Sequence, residues 1–115
     1  MHAKIAALAS ALTATALLLA GHAVGAPVPG LPDPQSGKAL AEKLCTNCHL
    51  IGSAQQEHAV ADVPSFHEIA NGQGQTPGDI VAHIMLPKHP MPQIPLTKSE
   101  LADLAAYIMS LRDRP

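Results

Sequence analysis

The chain has 115 residues, with seven Lys and Arg against nine Asp and Glu, a formal charge of −2. That leaves room for one domain with a mildly acidic balance, which argues against nucleic acid as a partner. One Phe, one Tyr and no Trp make a thin core for so short a chain, and a large flat apolar group from outside would help to fill it.

At the start of the chain, Lys4 supplies a positive charge, and residues 5–20 are an apolar run rich in Ala and Leu. Small residues follow at Gly21, Ala23 and Gly25, so residues 1–23 read as a secretory signal peptide, cut after Ala23 or as late as Gly25. An uncleaved membrane anchor is the weaker reading. Ser10, Thr13 and Thr15 interrupt the run, and many of its apolar residues are only alanine. Loss of residues 1–23 removes Lys4 and leaves six Lys and Arg against nine Asp and Glu, about −3. Export would place this product in the oxidising periplasm, free of stable membrane insertion.

Residues 24–33 hold Pro27, Pro29, Gly30 and Pro32 and read as an extended lead-in to a domain over 34–115. Asp33 and Pro34 look like an N-cap and a first helical position. A first helix is predicted from Pro34 to about Leu44, with Gly37 and Ala41 on one face where another helix can approach closely. It delivers Cys45-Thr46-Asn47-Cys48-His49. Two thiols three positions apart share one face of a helical turn, and the order Cys-x-x-Cys-His is the attachment signal for c-type haem. Each thiol would form a thioether with a haem vinyl group, and the His49 imidazole would lie beneath the iron.

Other uses of two cysteines fit less well. A thioredoxin-like redox pair wants a strand before the motif, and 36–44 reads as helix. Zinc fingers bring a second Cys/His pair at defined spacing, whereas His58, His67, His83 and His89 are scattered singly. A structural disulfide is the remaining alternative, and it predicts a colourless protein.

Beyond His49 the chain is loop-like through residue 62. Pro64 opens a short helical piece over 65–71 that Gly72 ends. Thr76 and Pro77 repeat the cap-plus-proline device and start a third helix to about Leu86, with Ile80, Ile84 and Met85 apolar and Pro87 as its stop. Residues 87–96 contain four prolines and form neither a helix nor an inner strand. Thr97 and Glu100 make a capping box for a last helix over about 98–112, with Leu101, Leu104, Ile108 and Leu111 at helical spacing. Arg112 and Arg114 suit the end of that helix.

A second axial ligand would be a thioether from this part of the chain. Met109 and Met85 read as core residues on their helices. Met91 stands between Pro90 and Pro92 in a stiff loop, a rigidity that an iron ligand needs and a core filler does not. His89 and His83 are the next candidates for that position. Otherwise they read, like His58 and His67, as surface residues.

Four features in order resemble the class I monohaem cytochromes c, followed by a matching closing helix. They are Gly37 and Ala41 in the first helix, then 45–49, then Pro64-Ser65-Phe66-His67-Glu68-Ile69-Ala70, then Met91-Pro92. Leu101-Ala102-Asp103-Leu104-Ala105-Ala106-Tyr107-Ile108 supplies the closing helix. The resemblance covers about 36–112. It implies an all-α fold of about four helices wrapped around one covalently bound haem, with His49 below the iron and Met91 above. It further implies first and last helices crossing at Gly37, with Tyr107 packed on the first. The Pro64 carbonyl would accept a hydrogen bond from His49, although Val63 precedes that proline where many members carry glycine.

The function implied is single-electron transfer by a monomeric carrier between a donor and an acceptor protein, in an exported respiratory or dehydrogenase-linked chain. No paired carboxylates or nucleophile signature suggest an enzyme. Two rivals share the motifs: a haem subunit held tightly in a dehydrogenase or oxidase complex, and a haem sensor or peroxidase whose distal position is open.

Overall fold

The computed structural model describes residues 25–52 and 60–115. The signal-peptide reading of residues 1–23 and His58 lie outside the described residues. Four helices follow in order: α1 (Pro34–Leu44), α2 (Phe66–Ala70), α3 (Pro77–Met85) and α4 (Lys98–Ser110). There is no strand among the described residues. The expected all-α architecture is what the chain adopts.

Each helix begins where local chemistry dictates. The Asp33 carboxylate accepts from the Gln35 and Ser36 amides, and Pro34 fills a position whose amide would have no helical partner. Ser65 with Glu68, Thr76 with Asp79, and Thr97 with Glu100 form reciprocal capping boxes. Bonds to the ionised form hold all four carboxyls, Asp33, Glu68, Asp79 and Glu100, below their usual range, at Asp33 first of all the bond from the Ser36 hydroxyl.

Helix α4 is the centre of the packing. It lies against α1, most extensively, and also against α3 and α2. Its buried stripe is Leu101, Leu104, Ala105, Tyr107 and Ile108, and it meets Ala41, Ile51, Phe66, Ala70, Ile80 and Ile84. The α1–α4 crossing is backbone to backbone at Gly37. A Cβ there would stand 2.5 Å from the Asp103 carbonyl carbon, closer still to its oxygen, and 2.9 Å from Tyr107 Cβ. The Asp33 amide donates to the Asp103 carboxylate at 2.7 Å, which fastens the lead-in to the same crossing.

Helix α4 stops at Ser110, two residues short of the expected end. The Leu111 and Arg112 amides bond back to Ile108 and Met109 in a tighter last turn. Arg112 does not serve its own helix end. Its guanidinium donates to the Ala70 carbonyl at 2.8 Å and the Gln75 carbonyl at 2.6 Å, so α2 and the loop after it are tied to the C-terminus.

Candidate functional site

Helix α1 leads straight into the two cysteines. The Cys45 amide still bonds to Ala41 in helical fashion, and then the Cys48 and His49 amides both donate to the Cys45 carbonyl, at 3.2 and 2.9 Å. The chain therefore coils tightly around that one oxygen, and both thiols and the imidazole emerge within a turn or so. The cysteines are not bonded to each other. Cys45 is half-buried against the core, and burial pushes its thiol up to about 11. A thiol raised in this way is the opposite of an activated redox cysteine, which needs a depressed pKa. Among the described residues no three His, Cys, Asp or Glu cluster as a metal site.

The His49 ring is held from both sides. Its Nδ1 lies 2.8 Å from the Pro64 carbonyl oxygen. A carbonyl can only accept, so Nδ1 donates to it, and Nε2 is then the ring nitrogen that a metal could use. The ring lies 5.4 Å from that of Phe66, centroid to centroid and tilted by 49°. No glycine is needed before Pro64, because the left-handed step that turns the chain falls on Asp62 (φ 69°).

Residues 48–51 are then anchored one after another. The Cys48 carbonyl accepts from the Val60 amide (3.1 Å) and the Leu50 carbonyl from the Phe66 amide (2.9 Å). The Ile51 carbonyl accepts from the Tyr107 hydroxyl (2.8 Å). Capping of α2 by Ser65 fixes where Phe66 begins, and so where its amide and ring meet this segment. The aromatic contact and the Tyr107 bond were not foreseen from the sequence. Ser-x-x-Glu at 65–68 was a readable signal for the α2 cap.

Met91 belongs to a second group of residues. Its amide donates to Lys88 O at 3.0 Å, closing a turn in the proline-rich loop. Its partly buried side chain packs on the core that Cys45 also touches. With Met85, Leu86, Pro87, His89 and Gln93 it lines an open cavity of about 450 Å³. A neighbouring cavity of about 340 Å³ shares Met85 and Gln93 and continues along Ile94 to Leu96 and Leu101. Cys45, Cys48 and His49 are not among the walls of either cavity.

Met85 was expected in the core, but the structure puts it at the cavity edge, 53 % exposed, beside Leu86 at 79 %. The reason is angular: Ile80 and Ile84 share the buried face of α3, and one further residue turns the side chain about 100° away. Of the other histidines, His83 bonds to Asp79 O on its own helix and His67 to the Asp113 carboxylate, both at exposed positions. His89 shares the Met91 cavity.

The thiols and the imidazole after them fit covalent attachment of a haem. Two unpaired thiols stand about one helical turn apart, an imidazole held through Nδ1 follows them, and a thioether lies in a proline-rich loop. Large apolar side chains at an open cavity would be covered by a flat apolar ring.

The family model described as Cytochrome c matches residues 34–112. Cytochrome c-552 of Bradyrhizobium diazoefficiens is 41 % identical over 81 residues, covering 70 % of this chain and 76 % of that protein. No solved structure matches the chain.

Proposed function

The chain belongs to the cytochrome c family, as a small class I electron carrier with one covalent haem c and its iron, and from that premise we propose how its own residues serve the carrier. Cys45 and Cys48 would hold the group by thioethers, His49 Nε2 and the Met91 thioether would ligate its iron, and Pro64 would fix the imidazole. When bound, the haem supplies a one-electron ferrous/ferric couple, and a thioether donor raises its potential relative to two imidazoles.

The observation that carries this reading is the 2.8 Å contact between His49 Nδ1 and the Pro64 carbonyl, directly after two unpaired thiols. It leaves Nε2 as the donor atom and makes the imidazole more basic. On the other side, the four prolines of 87–96 restrict the loop, so Met91 stays in place without the chain reorganising between redox states. The carrier acts in the periplasm as a monomer that passes electrons between a donor and an acceptor protein, with no chemistry on a substrate. Among the described residues no helix is long and apolar enough to cross a membrane.

The test is an optical spectrum of the protein made in a host with c-type maturation machinery, with and without Met91→Ala. The expected result is a covalent haem c spectrum with a methionine-to-iron band that Met91→Ala removes. Carbon monoxide should bind the reduced wild type slowly and the variant readily. Rapid binding by the wild type would favour the sensor or peroxidase reading. Co-elution with a larger partner from the native source would favour the tight-subunit reading.

A further inference from the structure

The anchors of residues 48–51 do not all have the same reach. Cys48, His49 and Leu50 bond to Val60, Pro64 and Phe66, all within one loop and the start of α2. Those three bonds tie the segment to its own loop and to the start of α2, and none of them reaches α4. The bond from the Tyr107 hydroxyl to the Ile51 carbonyl does. It spans 56 positions, is buried at both ends, and originates from the middle of α4, the helix on which the other three pack. Tyr107 also stands edge-on to Phe66 at 6.3 Å, and Phe66 in turn faces the His49 ring. One side chain thus touches both routes to His49: the backbone through Ile51 and Leu50, and the rings through Phe66.

We infer that the Tyr107 hydroxyl is a positioning group for the His49 imidazole, setting from α4 the distance at which His49 Nδ1 meets the Pro64 carbonyl. This rests on the reading of His49 as the lower axial donor. The effect runs through Ile51 and Phe66. Without the hydroxyl, the Ile51 carbonyl loses a buried donor, and the 49–51 segment can drift from its seat. The Nδ1–H bond to Pro64 then lengthens, the imidazole becomes a weaker donor, and the ferric form loses more stabilisation than the ferrous form. The potential should rise.

The experiment uses the holoprotein. Tyr107→Phe keeps the ring that stands against Phe66 and removes only the hydroxyl. Because Tyr107 is the only tyrosine in the chain, growth on 3-fluorotyrosine changes this position alone and strengthens the O–H donor. Ile80→Val, a buried change on α3 that removes no hydrogen bond, controls for lost stability.

Two quantities are read: solvent exchange of the His49 Nδ1 proton in the ferric protein by NMR, and the redox equilibrium against a fixed mediator. In Tyr107→Phe the exchange should quicken, and the equilibrium should move about threefold toward the reduced form, roughly 30 mV at 59 mV per tenfold for one electron. The fluorotyrosine protein should move the opposite way, and Ile80→Val should move neither. If both Tyr107 substitutions leave both quantities where Ile80→Val leaves them, the inference is overturned. If the wild type itself lacks iron-shifted His49 ring signals, the axial reading fails, and this inference with it.

Discussion

Replacing Gly37 with alanine tests the contact that brings α1, and with it Cys45, against α4. In an ordinary helix interior the change would help, since alanine is favoured over glycine by about 1 kcal/mol. Here the new Cβ would sit 2.5 Å from the Asp103 carbonyl carbon and 2.9 Å from Tyr107 Cβ, short of a comfortable contact by roughly 1 Å at the closer atom. The obstacle is helix backbone, which cannot rotate aside as a side-chain tip would. The helices must separate, and overpacking of this kind costs about 3 kcal/mol. Net of the propensity gain, about 2 kcal/mol is lost, a fall in melting temperature of roughly 8–16 °C for a domain of this size. The assay is thermal unfolding of the holoprotein followed by far-ultraviolet circular dichroism. Gly78→Ala in α3 is the control, because its Cβ would come no closer than 3.7 Å to Thr76 Oγ1. It should be neutral or slightly stabilising. A Gly37→Ala protein that melts with the wild type or above it refutes the backbone-to-backbone crossing.

Arg112→Met removes the donors to the Ala70 and Gln75 carbonyls and should lose about 1–3 kcal/mol, read as a lower midpoint in urea; an unchanged midpoint would count against the C-terminal tie. Acid stability should follow the helix caps. The Glu100 carboxyl lies below its ordinary value of 4.5 because the Thr97 amide and hydroxyl bond to its ionised form. Its contribution is therefore full above about 4.5 and is lost as pH falls through the lower folded value. Glu100→Gln should be less stable than wild type near neutrality and converge with it toward pH 2–3, and a constant gap across that range would contradict the cap's role. Cys45→Ser and Cys48→Ser should each retain haem through one thioether, with the α-band moved to longer wavelength, while the double variant releases its haem to acidified organic solvent.

The helices were largely legible because each is announced locally. Asp33-Pro34, Thr76-Pro77 and Thr97-x-x-Glu100 place a cap beside its first turn, and a bond over three residues needs no knowledge of the rest of the chain. The Cys45 to His49 motif was equally local. Met85 and Arg112 were misread because their roles depend on what lies beside them. Met85 has the composition of a core residue but the wrong angle on α3. Arg112 has a suitable charge for a helix end, yet it finds unpaired carbonyls across the chain at Ala70 and Gln75.

The sequence alone determined the order of helices, the two thiols with the imidazole after them, and the stiffness around Met91, all properties of neighbours along the chain. Tertiary structure decided how the imidazole is held. Pro64, Phe66 and Tyr107 lie 15, 17 and 58 residues beyond His49; the first two meet its ring and Tyr107 meets Phe66 and Ile51, with Gly37 letting α1 and α4 touch and Asp62 turning the loop back. Contacts over such separations are set by which surfaces can pack without a gap or a clash, a condition that no short stretch of residues carries within itself.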